Sequence, residues 1–245
     1  MEVIKMEKNP RDEEVIDFQE KLNYGTSKTN NKEFEENGYL VIKNIIDIQE
    51  LVCEIPETRG MYNYYGSLEN VSYNPVESQV PGSISRYRYP KYKYLHSEIR
   101  MKIENIIGNK LFNTYYFDRF YFVGQELKKH LDRPSCEISA TVHISSNLTK
   151  CWPIYIKSPD VYGENKGDII KKGKISKVCL NPGDAIIYKG CERPHWREPM
   201  KSKYNKIQLL IKKILGNEDD SYYHQVFFHY VLADGERCNF AGDMR

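Results

Sequence analysis

The hydrophobic rhythm of the chain changes near residue 110. Before that point the clearest signal is helical. Leu95, Ile99, Ile103, Ile106 and Ile107 recur three and four positions apart, which predicts a helix over 94–108 with one buried face, stopped at Gly108 and Asn109. Residues 1–30 are polar and weakly patterned and predict a helix with frayed flanks. The stretch FEENGYLVI at 34–42 reads as a helix end, a glycine cap and a strand. Between 60 and 93, Gly, Ser, Pro and Tyr dominate without periodicity. This predicts a long loop with short strands, and loops of that length are often functional.

From about 111 onward the texture is that of strands. Residues 112–123 are rich in aromatics, 137–144 alternate polar and apolar, and 152–156, 177–180, 185–188 and 225–231 are further strand candidates. Turn signals at Gly163, 166–168, 181–184 and 189–190 separate them. Residues 207–215 fit a strand or a short helix. Many short strands after a helical opening predict an α+β, mainly β chain. The expected form is a double-stranded β-helix, a cupin-like jelly roll, backed by N-terminal helices. We expect one domain over 1–245, with an extension at 1–30 and the jelly-roll core at 111–235.

Composition narrows the function classes. Apolar residues make up 40% and the net charge is +2, so neither disorder nor a polyanion partner is indicated. Lysines are scattered, and no nucleic-acid partner is expected. No apolar run approaches the roughly 18 residues of a membrane span, so no membrane partner is expected either. The N-terminal MEVIKMEKNPRDEE is too polar for a secretory signal, which predicts a cytoplasmic protein. The six cysteines form no CxxC and no regular spacing, so they are expected to be reduced and mostly buried.

Three residues carry the chemistry. His130 and Asp132 stand two apart, a spacing that puts both side chains on one face of a strand, where they can grip one ion together. His195 follows a tight turn and a buried strand at 182–188, which would deliver it from a second sheet into the barrel mouth. Two imidazoles and one carboxylate leave about half of an octahedral shell open, a set that suits ferrous iron binding a cosubstrate and oxygen. By parity, Tyr121 shares a strand face with Arg119, and His143 shares one with Glu137, Ser139 and Thr141. Trp152 is placed to wall the pocket, and His229 is a further candidate for its lining. His96 and His224 are read as structural or exposed, and the basic run at 201–213 as a solvated face.

In this arrangement the chain resembles the iron(II)/2-oxoglutarate-dependent dioxygenases, in the neighbourhood of the prolyl hydroxylase-like and phytanoyl-CoA dioxygenase-like enzymes. The stretches that carry the resemblance are FEENGYLVI at 34–42, HLDRPSCEISATVHIS at 130–145, GDAIIYKGCERPHWRE at 183–198 and QVFFHYV at 225–231. Together they span roughly 34–235. The resemblance implies Fe(II) on His130, Asp132 and His195, with 2-oxoglutarate and oxygen in the open positions. It also implies succinate and CO2 as products, hydroxylation of a C–H bond, and room for ascorbate as a reductant. It implies cosubstrate contacts from Tyr121, Arg119, His143 and Arg197. The family's distal-carboxylate cation comes about ten residues past the second His. Here that place holds Asn205 and Lys206, and an insertion follows His195, so Arg197, Lys206, Arg86 and Arg88 remain candidates. The substrate is expected to be a peptide or a small molecule, with the Tyr-rich loop as its lid. A metal-free jelly-roll binding module and a cupin-like metal enzyme without 2-oxoglutarate are the alternatives. The complete ligand set speaks against the first, and the lack of extra histidines at cupin spacing against the second.

Overall fold

The computed structural model describes residues 26–163 and 169–243. The first helix, α1 (Lys32–Asn37), is capped by the Asn31 side chain, which accepts from the Phe34 N–H, and ends at Gly38 with φ of 71°. A side chain at residue 38 would be strained at that φ and would also collide with Arg193. The second helix, α2 (Lys93–Ile107), buries His96, Ile99, Ile103 and Ile107, the face expected from the spacing. The helical backing therefore comes from mid-chain. The helix expected within 1–30 falls mostly on 1–25, outside the described residues.

The strands alternate between two sheets. The large sheet takes β1 (Tyr39–Ile42), β2 (Gly60–Tyr64), β3 (Val71–Asn74), β4 (Ile84–Tyr87) and β5 (Leu111–Phe122). Then β6 (Leu127–His130) crosses to a small sheet, β7 (Ile138–Ser146) returns, and β8 (Ile154–Lys157) crosses again. A two-stranded excursion, β9 (Val161–Tyr162) with β10 (Ile169–Lys171), leads to β11 (Ile175–Val178) in the small sheet. There follow β12 (Ala185–Lys189) in the large sheet, β13 (His195–Arg197) in the small one and β14 (Tyr222–Leu232) in the large one. The resulting orders are β1-β12-β7-β14-β5-β4-β2-β3 and β11-β8-β13-β6. Two facing sheets traversed in this alternation form the expected jelly roll.

One face of the large sheet carries α2. Ile99, Ile103 and Ile107 pack there with Ile138, Ala140, Val142, Val226, Phe228 and Tyr230. The other face looks into the barrel, where Tyr115, Phe117, Tyr121, Trp152, Tyr223 and Phe227 form a second cluster. That aromatic interior is where the chemistry-bearing side chains meet.

Three expectations change. His195 does not come from a second sheet: β13 lies directly beside β6, with His195 opposite His130 in the register. The stretch at 207–215 is helical, as α3 (Lys206–Ile214), opened by a capping box between Asn205 and Gln208. The cysteines are not all reduced, because Cys151 and Cys179 form a disulfide. Cys151 precedes β8 and Cys179 follows β11, and these strands pair antiparallel with Val178 opposite Ile154, so the bridge clips the open end of the pair. Only the register brings these two thiols together; their separation of 28 residues follows no motif.

Two core histidines set a pH limit on stability. His96 is stacked among Tyr116, Phe228 and Tyr230, and its Nε2 meets the His229 carbonyl. His143 stacks on Tyr223 and its Nδ1 meets the Leu180 carbonyl. Burial pulls both pKa values down to about 4. The unfolded chain therefore takes up protons below its ordinary His range before the folded chain does. Stability falls as pH drops from about 6.5 towards about 4, by up to about 1.4 kcal/mol per pH unit for each histidine. Urea unfolding should give a smaller free energy at pH 5 than at pH 7; equal values would contradict this assignment.

Candidate metal centre

β6 is short and irregular, and that irregularity builds the site. Lys128 and Lys129 are both exposed, and the pairing with β13 shifts between His195 opposite His130 and Arg197 opposite Leu127. Leu127 and His130, three apart, therefore both point inward, which a regular alternation forbids. Lys129 lies over the outward Trp196 ring, 5.5 Å from its centroid.

Both histidines are oriented in the same way. The Nδ1 of His130 lies 2.8 Å from the Lys128 carbonyl, and the Nδ1 of His195 lies 2.9 Å from the Arg193 carbonyl. A carbonyl only accepts, so each Nδ1 carries a proton and each Nε2 is the nitrogen turned to the site. Both Nε2 atoms face one carboxylate oxygen: Asp132 Oδ1 is 3.5 Å from His130 and 3.6 Å from His195. Burial, reinforced by the neighbouring His130, lowers the His195 pKa to about 4, so its imidazole is neutral at neutral pH. Burial works to raise the Asp132 pKa, but the adjacent His195 and His130 imidazoles outweigh it and hold the carboxyl below its usual range.

Asp132 lies just past the end of β6, so strand parity does not hold it. Its N–H donates to the Gly190 carbonyl at 2.9 Å, and its Oδ2 accepts from Ser139 Oγ at the same distance. With the serine proton committed to Asp132, the His229 Nδ1–H, 3.0 Å away, donates to Ser139 Oγ. The carboxylate packs so tightly that a Cβ at residue 190 would lie 2.5 Å from Asp132 Oδ2 and 2.7 Å from Ser139 Oγ. Gly190 is required for space.

The three donor atoms lie within 4.8 Å of one another and are buried or half-buried. Two imidazole nitrogens and one carboxylate oxygen on one side of a cavity fit a divalent transition metal that keeps open positions. The cavity is lined by Tyr115, Phe117, Arg119, Leu127, Cys136, Tyr188, Phe227 and His229 together with the triad, and by Gln79 and Arg133.

The other sequence candidates divide. Arg119 is fully buried on the cavity wall, but Glu77 pairs with it at 3.3 Å, and Gln79 and Ser85 accept from it. Tyr121 is buried behind the wall, its hydroxyl 3.4 Å from both Arg119 Nη1 and Gln225 Nε2. His143 sits in the core behind Tyr223 and does not line the cavity. Arg197 is 1% exposed, with its guanidinium 4.7 Å from both the Trp152 and the Tyr223 ring centroids. It donates to the Trp152 carbonyl and, at 2.7 Å, to Gln225 Oε1, and its Nε has no hydrogen-bond partner. Arg86 is committed to Asp118, and Arg88 to Asn63. Lys206 stands exposed at the start of α3, away from the cavity. Ser139, which parity placed on the face of His143, does reach the site, at Asp132. Gln225 and Gly190 were not legible as site residues, because only the strand register and the β12–β13 turn bring them here.

Gly190→Ala crowds Asp132 without touching a donor atom. It should lower affinity for Mn(II) or Ni(II) at least about tenfold in calorimetric titration of the metal-stripped chain, the scale on which outer-shell partners act. Unchanged affinity would show that the carboxylate is not held by this packing.

No protein-family model matches the sequence, and no curated protein matches it. Solved structures do match by shape. HygX from Streptomyces hygroscopicus with nickel and 2-oxoglutarate bound is 11% identical, with a TM-score of 0.53 over 82% of this chain and 85% of that one. The same protein with hygromycin B also bound gives 12% identity, a TM-score of 0.52 and the same coverage. A prolyl-4-hydroxylase from Pseudomonas putida is 12% identical, with a TM-score of 0.48 over 80% of this chain and 95% of that one. At these identities the likeness to HygX is one of fold: the chain shares its architecture with a protein crystallised with nickel and 2-oxoglutarate bound.

Proposed function

We propose that the chain is a non-haem Fe(II)- and 2-oxoglutarate-dependent oxygenase that hydroxylates a C–H bond of a peptidyl or small-molecule substrate. The observation that carries this reading, beyond the triad, is the charge of Arg197. Among the described residues four arginines are buried below a tenth of their surface: Arg86, Arg119, Arg197 and Arg237. Asp118, Glu77 and Glu137 answer Arg86, Arg119 and Arg237. Among the described residues no carboxylate answers Arg197. A buried cation without a counter-charge is costly unless a ligand supplies one. Arg197 lies two residues past the proposed ligand His195 and opposite Leu127, which lines the cavity. Arg197 itself does not line the cavity, so in this reading a dicarboxylate held at the triad by one end reaches past Leu127 to meet it with the other.

In this reading His130, Asp132 and His195 hold the metal through Nε2, Oδ1 and Nε2. When bound, iron with 2-oxoglutarate supplies the oxidising power, with succinate and CO2 as the cosubstrate's products. The chain's own residues bind and orient. Arg197 takes the far carboxylate, the Gln225 amide fixes the guanidinium, and the Trp152 and Tyr223 rings exclude water and strengthen the charge pairing. Ser139 holds Asp132 by its second oxygen. Tyr115, Phe117 and Phe227 give an apolar wall for the part of the substrate that reacts.

The test is succinate formation by the iron-loaded chain. Arg197→Met should raise the KM for 2-oxoglutarate about tenfold to a hundredfold, the range for a lost charged hydrogen bond, with metal affinity retained. Thermal stability should hold, since removing an unanswered buried cation relieves a cost. Asp132→Ala should abolish the reaction. An unchanged KM in Arg197→Met together with a raised one in Arg119→Met would move the anchor to Arg119. No succinate under any condition would overturn the proposal.

A further inference from the structure

The insertion between β13 and β14 carries a helix whose amphipathicity is turned outward. In α3, Ile207, Leu210, Ile211, Ile214 and the capping Leu215 follow the spacing i, i+3, i+4, i+7, i+8, one stripe of a helix. In a water-facing helix such a stripe covers the core. Here the five side chains are 51–74% exposed, and no residue of the helix is buried. The side towards the body is the opposite one. Leu209 and Lys212 are half-buried there, and Lys212 reaches Asp220 at 3.0 Å and Tyr204 at 3.3 Å, with Lys203 joining the same Asp220 at 2.8 Å. Polar contacts hold the helix down and present its apolar face to the outside. A nine-residue helix has little stability of its own, so these pins and the capping box fix a deliberate orientation.

Charge decides what covers the face. From 199 to 217 the chain has five lysines and no Asp or Glu; Glu218, Asp219 and Asp220 follow. Asp220 answers Lys203 and Lys212, which leaves Lys201, Lys206 and Lys213 as the free cations of the stretch among the described residues. Lys206 and Lys213, seven apart and so on one side of the helix, are exposed along one border of the stripe. A second copy would set these like charges against each other. It would also gain little area: a helix roughly 14 Å long offers a few hundred Å² at most, against the about 1,200 Å² that a stable dimer buries. An anionic bilayer accepts both features at once, apolar side chains below the headgroups and ammonium groups among the phosphates. We propose that α3 docks the chain on an anionic membrane surface, lying in the interface with its Ile/Leu stripe inserted and Lys206 and Lys213 against the lipid phosphates. The absence of a membrane span bears on crossing a bilayer and leaves this open; among the described residues no helix is long and apolar enough to cross.

The test is co-sedimentation of the full chain with vesicles of phosphatidylcholine alone and with about one-third phosphatidylserine. Partition should be at least about tenfold greater onto the anionic vesicles and should fall as salt rises. Lys206→Gln and Lys213→Gln should each lower it about fivefold. Ile211→Ser with Ile214→Ser should abolish it while the thermal melt and circular dichroism stay unchanged, because both side chains point away from the body. A wild-type chain that stays in the supernatant with both vesicle types overturns the proposal. So does a dimer in sedimentation velocity that the serine variants dissolve without any vesicle binding, which assigns the face to a second copy. Equal partition onto both vesicle types overturns the anionic surface.

Discussion

The arrangement of the candidate site depends on one register: β13 against β6, with His195 opposite His130. Because side chains alternate along a strand, a slip of one residue would turn His195 outward and bring Trp196 in. The register fixes more than adjacency. Each imidazole is tied through Nδ1 to the carbonyl two residues before it, so strand pairing also sets the tautomer that leaves Nε2 as a donor to a metal. The bulge at Lys128 and Lys129 brings Leu127 inside beside His130, opposite Arg197, which shares the inward face of His195 by ordinary alternation. The two imidazoles thus stand at one level through a single strand pairing, and a local defect in the four-stranded sheet adds Leu127 to their wall.

Charge pairing separates structural from ligand-facing groups. Buried ions lie on both faces of the large sheet, and most are answered. Arg86, His224 and Tyr92 converge on Asp118, whose pKa these partners hold below its usual range against the opposing effect of burial. Breaking such a set exposes a buried charge and costs several kcal/mol, which marks it as part of the fold. Arg197 is built differently, between two aromatic rings and on neutral acceptors. The contrast between answered and unanswered arginines is what turns a metal-binding geometry into a case for a dicarboxylate cosubstrate.

Much of this was legible in the sequence where periodicity or motif spacing carried it. The 94–108 helix followed from its isoleucines, the strand-rich region from alternation and turns, and His130, Asp132 and His195 from residue type and context. The reasons were less accurate than the result. Asp132 was assigned to the face of His130 by strand parity, yet it lies beyond the strand and is held by Gly190 and Ser139. His195 was assigned to another sheet, because a single sequence does not reveal that the chain crosses back between β12 and β13. The Cys151–Cys179 bridge and the Arg197–Gln225 contact depend on strand neighbours that no local pattern encodes. The basic stretch at 201–213 was read by its lysines; its apolar stripe acquires meaning only from the side it shows.

A crystal structure of the chain grown without oxygen in Fe(II) and 2-oxoglutarate, with anomalous data at the iron edge, tests the central claim most directly. The account predicts one strong peak bounded by His130 Nε2, Asp132 Oδ1 and His195 Nε2, with the far carboxylate of the cosubstrate on the Arg197 guanidinium. A peak away from these three atoms, or a cosubstrate whose far end lies elsewhere while Arg197 stays as it is, would contradict it.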